Sequence, residues 1–308
     1  LRINSILIRR GRMSYHVLSE EETPGKFNAR HIQLQNIIAS ISLKALNKDS
    51  VNLGIKRLSL DEKASGFSLK KMSLKLVANS KRMNVDNFTV ELPETSLKLD
   101  TIHLTYDSLK AFNRFTEQVR FSFRTLPSQI TLKEISPFVP ALSHFTEPIT
   151  LDMEVKGTVD QLTCSRLEIT ADERQFRLKG DMSLQDLSHP QNTYVYGTLS
   201  ELTASAPGIS FLLRNLSHDY KGVPPILERL GGVSFQGDIS GYFTDLVTYG
   251  RLHTDLGNIK MDLKLSSDKS KGLFAYSGAV ETTDYKLGEL LANGRLGEIT
   301  FNLDVHGR

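Results

Sequence analysis

The chain has 308 residues, a net charge of +3 at pH 7, one cysteine and 39% hydrophobic residues. Even with Gly counted in place of Tyr, that share stays somewhat below the roughly 45–50% of ordinary globular domains, so much of each element is expected to face water. Interspersed charges leave no stripe to neutralise a row of phosphates, a single thiol excludes a disulfide framework or multi-thiolate metal site, and no run approaches the roughly 18 apolar residues of a membrane helix.

The start, Leu1-Arg2-Ile3, is neither an initiator Met nor a basic, apolar signal peptide, and the chain is expected to be a fragment of a longer protein. Ser19 to Gly25 reads as a loop whose Glu20, Glu21 and Glu22 form a solvated charge run rather than a metal site. Apolar and polar residues then alternate over short runs, the period of two of strands with one dry and one wet face. The runs are Val51, Leu53, Ile55; Phe67, Leu69; Leu74, Leu76; Leu97, Leu99; Ile102, Leu104, Tyr106; Leu151, Met153, Val155; and Met261, Leu263, Leu265. Phe176, Leu178, Gly180, Met182 and Leu184 hold one parity with Arg177, Lys179, Asp181 and Ser183 between them.

Polar clusters at Asn47 to Ser50, Asn79 to Asn84, Ala171 to Gln175, Ser188 to Thr193 and Ser266 to Gly272 read as hairpin turns, giving an antiparallel meander. Short helices are expected over Asp107 to Phe115, Leu132 to Phe145, Ile209 to Tyr220, Pro224 to Leu230 and Tyr285 to Leu291. The pattern apolar-x-apolar-x-apolar-x-Gly ends at Gly157, Gly241 and Gly307, with a departure at Gly237, and its unequal spacing marks a recurring strand unit rather than a solenoid period. The chain divides on this reading into segments 1–125, 126–230 and 231–308, the last continuing the same sheet.

No catalytic motif emerges. None of the eight histidines makes a pair at metal-ligand spacing; His218-Asp219 and His253-x-Asp255 come nearest. There is no Gly-x-Ser-x-Gly elbow, and Arg229-Leu-Gly231-Gly232-Val lacks the residues of a phosphate loop. No catalytic residue, metal, cofactor or nucleic-acid partner is expected, and Cys164 is expected to be buried and inert.

The predicted fold is mainly β, an elongated antiparallel curled sheet, taco-like, with a hydrophobic inner face and a few short helices. Burying apolar surface contributes about 25 cal/mol per Å², so an apolar face must close on itself or hold a ligand. A trough lined by Leu97, Leu99, Leu104, Tyr106, Leu151, Met153, Val155, Phe176, Leu178, Met182, Leu184, Phe235, Ile239, Phe243, Met261, Leu263, Leu265, Phe301 and Leu303 would suit acyl chains. The same alternation fits a closed β-sandwich or solenoid used for structural or adhesive contacts. A membrane barrel is disfavoured by the absence of Trp and by short strands, and a carbohydrate-active enzyme by the lack of identifiable facing carboxylates.

Several segments resemble the Bacteroidetes branch of the TamB family, translocation and assembly module proteins of the AsmA-like group. They are Ile6-Leu-Ile8-Arg-Arg-Gly11-Arg-Met13-Ser-Tyr15, the stretch from His31 through Leu46 to Leu60, Ser136-Pro-Phe138-Val-Pro140-Ala-Leu142, Gly232 to Leu246, and Asp284-Tyr-Lys-Leu287-Gly288-Glu-Leu290-Leu291 followed by Leu296-Gly297. The resemblance implies a periplasmic β-taco whose full-length protein is anchored in the inner membrane by a segment outside this chain. It further implies phospholipid transport, outer-membrane protein assembly and an outer-membrane partner of the BamA superfamily, with no catalytic residues.

Overall fold

The computed structural model describes residues 4–46, 50–189, 191–216, 222–242, 244–268 and 273–307; for Ala141, Asp172, Leu216, Ser267, Asp268, Leu273 and Phe274 only the backbone is described. The described residues are mainly β, with 18 antiparallel strands and a few short helices, as the alternation predicts. Two compact units, Leu1–Asp152 and Met153–Arg308, make up the chain.

In the first unit β1 (Ser5–His16), β2 (His31–Leu46), β3 (Ser50–Glu62), β4 (Ser68–Asn79) and β5 (Arg82–Glu91) pair in sequence. β5 then serves two short strands, β6 (Ser96–Lys98) through Val90 opposite Leu97, and β7 (Ile102–Thr105) through Met83 opposite Leu104. A 3-10 turn (Leu109–Arg114) and α1 (Phe115–Gln118) lead to β8 (Arg120–Arg124), which pairs with β7. β9 (Ser128–Ile130) pairs with the start of β10 (Ile149–Gly157), the strand within which the division falls.

The second unit is a meander. β11 (Gln161–Ala171), β12 (Phe176–Gln185), β13 (Tyr194–Ala204), β14 (Val233–Tyr242), β15 (Asp245–Thr254), β16 (Gly257–Asp268), β17 (Leu273–Tyr285) and β18 (Ile299–Gly307) each pair with the next. Helices α2 (Ala206–Leu216) and α3 (Pro225–Arg229) lie between β13 and β14, and α4 (Leu287–Leu290) between β17 and β18.

Helices are shorter and differently placed than the sequence pattern predicts. α2 begins at Ala206, three residues before Ile209, with the Ser205 hydroxyl accepting from the Gly208 N–H at 3.4 Å; residues 217–220 lie outside the described set. Leu132 to Phe145 is not one helix but two 3-10 turns, Leu132–Ile135 and Pro140–Leu142, because a proline removes the N–H that a continuing helix requires. The turn expected over Asn79 to Asn84 is tighter: the Asn79 side-chain oxygen accepts from the N–H groups of Lys81 and Arg82 at 2.9 Å each, and β5 starts at Arg82. β16 runs on to Asp268, inside the turn expected over Ser266 to Gly272, whose residues 269–272 lie outside the described set, as do residues 47–49 of the first turn cluster.

Small residues shape the sheet of the second unit where β14 meets β15. Gly237 stands opposite Gly250, and the Phe235 ring occupies the space that their missing side chains leave. A Cβ on residue 250 would come 2.6 Å from Phe235 Cζ and 2.4 Å from the Gln236 carbonyl oxygen. The glycine that departs from the repeating strand pattern is therefore the seat of a buried aromatic side chain. Overfilling a packed site costs about 1–3 kcal/mol. Gly250→Val is expected to lose at least that much in urea unfolding while the denaturant slope stays unchanged, and an unaltered midpoint would show that the ring is not seated there.

Candidate functional site

Residues directly opposite in an antiparallel pair project to the same side of the sheet, so strand registers trace each face. In the second unit the apolar row runs from Leu162 and Ile169 of β11 to Leu184 and Leu178 of β12, then to Val195 and Leu202 of β13. Leu202 faces Phe235, Phe235 faces Leu252, Leu252 faces Ile259, and Met261 faces Val280, which faces Leu303. Eight consecutive strands thus carry one continuous apolar face. The first unit has its own: Ile41 of β2 faces Ile55 of β3, Ile55 faces Leu74 of β4, Leu76 faces Val85 of β5, and Leu104 of β7 faces Phe121 of β8.

Bulges preserve this face. Leu34 and Ile37 of β2, Ile55 and Leu58 of β3, Cys164 and Leu167 of β11, and Leu199 and Leu202 of β13 are three residues apart, yet an extra residue between them keeps both on the dry side. At the first of these Asn36 adopts φ 54°, a left-handed conformation that Asn tolerates, and its amide donates to Asp61 Oδ2 at 2.8 Å.

The lining set named from the sequence divides by burial. Tyr106 is 5% exposed and belongs to a closed core with Ala111 and Val119; its hydroxyl donates to the Asn79 carbonyl at 2.7 Å, and Phe112 packs edge-on against its ring. Phe176 is likewise closed off, its ring 5.6 Å from that of Phe211 on α2, and Leu99, Val155 and Phe235 are also buried. Leu97, Leu104, Leu151, Met153, Leu178, Met182, Leu184, Ile239, Met261, Leu263 and Phe301 are half-buried. Leu265 and Leu303 are 42% and 52% exposed although they share the apolar face, and Phe243 lies outside the described residues. Sequence parity identifies the face but not which of its positions a helix or ring has already covered.

The opposite face is solvated and ion-paired. Arg177 donates to Glu168 at 2.7 Å and holds that carboxyl below its usual range, with Glu201 3.7 Å away and Lys179 reaching Glu201 at 3.6 Å. A hollow of about 520 Å³ on the first unit is bordered by Lys44, Lys56 and Lys75 around Gly54. The Cys164 thiol is buried, as expected, and burial pushes its pKa up; it donates to the Arg166 carbonyl at 3.0 Å. Of the histidine pairings weighed from spacing, His218-Asp219 lies outside the described residues. His253 instead meets Asn258 at 2.7 Å, while the Asp255 carboxylate accepts from the Gly232 N–H.

A different group comes together at one end of β1 and β2. His16 and His31 stand opposite each other, and the loop between them brings Glu22 beside His16 and Glu20 into an ion pair with Arg30. The glutamate run is exposed, as expected, but Glu20 and Glu22 each also meet a basic neighbour, and the approach of Glu22 to His16 had no signature in linear spacing.

No family model, curated protein or solved structure matches the chain.

Glu62 anchors the adjoining β3–β4 turn. It is 3% exposed and accepts from Gln33 N–H at 2.9 Å and from the Ser65 N–H and hydroxyl at 2.7 and 2.6 Å. Burial alone would raise its pKa, but these donors outweigh that and hold the carboxyl below its ordinary value. A depressed carboxyl contributes stability above the unfolded-state pKa of about 4.3 and loses it as pH falls through the folded value. Glu62→Gln is expected to cost about 1–3 kcal/mol at pH 7 and to flatten the fall in stability below about pH 4.3 by one proton's worth. Unfolding curves between pH 7 and 3 measure both, and parallel profiles for the two proteins would contradict the assignment.

Proposed function

We propose that this chain is a segment of a TamB-like envelope protein whose apolar sheet face shields phospholipid acyl chains in transit between the inner and outer membranes. One observation carries the reading: an apolar face continues over eight strands of the second unit and recurs in the first, with most of its side chains only half-buried. Each methylene moved from water onto such a face gains roughly 0.8 kcal/mol. Along a row of Leu, Ile, Val, Met and Phe that gain changes little from strand to strand, so an acyl chain can be held and still slide. The curl of the sheet into a trough belongs to the same proposal.

In this reading the chain performs no covalent chemistry. The full-length protein is anchored in the inner membrane, the segment works in the periplasm, and it acts with an outer-membrane protein of the BamA superfamily in outer-membrane protein assembly. The family resemblance supplies these partners; the half-buried apolar face supports the lipid.

The test is organic extraction of the purified chain, mass spectrometry of any lipid retained, and binding of a fluorescent phospholipid, beside a β-sandwich control of similar size. Stoichiometric phospholipid is expected. Leu178→Asp and Leu263→Asp should each lower retention at least about tenfold, since placing a carboxylate on the dry face costs well over the 1.4 kcal/mol that a factor of ten represents. Gln236→Asp on the wet face should leave retention unchanged. Folded protein without lipid above the control, and without affinity for the probe, would replace this reading with a closed β-module for structural or adhesive contacts.

A further inference from the structure

The His16, His31 and Glu22 cluster is independent of the apolar face. His31 is the buried member, 6% exposed, and stands directly across the ladder from His16 at the end of β1 and β2. Its Nε2 lies 2.9 Å from the Glu20 carbonyl oxygen, which can only accept. The proton of a neutral His31 ring is therefore held on Nε2, and the Nδ1 lone pair points the other way, to within 3.2 Å of His16 Nδ1. A carbonyl that fixes the tautomer and orientation of an imidazole is the usual outer support of a metal-ligating histidine.

The third group arrives because the loop is pinned. Val17 N–H donates to the Arg30 carbonyl at 2.9 Å, Glu20 N–H to the Val17 carbonyl at 3.1 Å, and Arg30 forms an ion pair with Glu20. The chain consequently turns back, and Glu22 Oε1 comes within 3.6 Å of His16 Nδ1. All three ligand atoms lie within 4.8 Å of one another. Ligands about 2.0–2.1 Å from a tetrahedral zinc ion are separated by about 3.3–3.4 Å, close to the 3.2 and 3.6 Å found here.

We propose that His16, His31 and Glu22 bind a divalent transition metal, with Zn²⁺ the best match in size and geometry. Two imidazoles and one carboxylate leave a fourth position for water, on the side where His16 and Glu22 are exposed. The site joins β1 to β2 and to the loop between them, so occupancy would hold that loop against the strand ends.

Titration of chelator-treated chain with Zn²⁺ against a chromophoric zinc chelator tests the proposal, with Co²⁺ as a spectroscopic substitute. One equivalent of Zn²⁺ and the visible absorption of four-coordinate Co²⁺ are expected. His31→Ala should weaken binding at least as much as the roughly 10- to 100-fold loss typical of removing an outer-shell partner. Because His31 is buried, the exposed ligands provide the decisive comparison: His16→Ala should match that loss, and Glu22→Gln should lower affinity about tenfold or more, with circular dichroism unchanged. His103→Ala, which removes a histidine bonded to Asn84 elsewhere on the first unit, should leave affinity intact. Absence of saturable binding would overturn the site and leave His16 as a hydrogen-bond donor to His31; an equal loss in His103→Ala, or none in His16→Ala, would overturn it as well.

Discussion

The structure depends on strand parity. A strand offers two faces and no third, so a sheet with one dry side gathers most of its large apolar residues on the same side of successive strands, with exceptions such as Val247 and Tyr249 exposed on the other. A slip of one residue would turn Leu178, Met182 and Leu184 into water and bring Arg177, Lys179 and Asp181 onto the apolar side. Arg177 opposes such a slip from the wet face as well, because a one-residue shift would put it and Glu168 on opposite faces and break their hydrogen bond. The two faces thus specify one pairing through different physics, desolvation on one side and charge-assisted hydrogen bonding on the other.

Parity also explains what could be read in advance. Long uninterrupted alternation, as from Phe176 to Leu184, identifies a strand, and Leu178 and Leu184 there do pair with Leu202 and Val195 on one face. Bulges obscure the same signal. Cys164 and Leu167, or Leu199 and Leu202, are three apart and look like a broken period, although an inserted residue returns both to one face. The helices were less legible for a related reason. Leu109–Arg114 and Leu132–Ile135 are 3-10 segments of six and four residues, too short to develop a helical period of their own.

Sites made by pairing across strands were the least legible. His16 and His31 are 15 residues apart and meet only because β1 and β2 are antiparallel partners with a folded loop between them. Glu22 stands in a run of three glutamates whose local pattern is that of solvated charge. The backbone carbonyl of Glu20, which orients His31, has no sequence signature at all. Linear motif spacing records metal sites closed by a short turn, whereas β1 and β2 are joined by a long loop that sets the ligands far apart in sequence.

The short helical segments divide the apolar face by what already covers it. Phe112 closes over Tyr106 in the first unit, and Phe211 of α2 closes over Phe176 in the second. A side chain that protein atoms have already removed from water has little apolar area left to bury, so a ligand gains almost nothing there. Leu178 is on the same strand and face as Phe176, two residues beyond it, and remains half-buried. On the proposed reading, the free energy for holding an acyl chain would come from half-buried positions such as Leu178, Ile239 and Leu263, while Tyr106 and Phe176 are already buried within the units that present them.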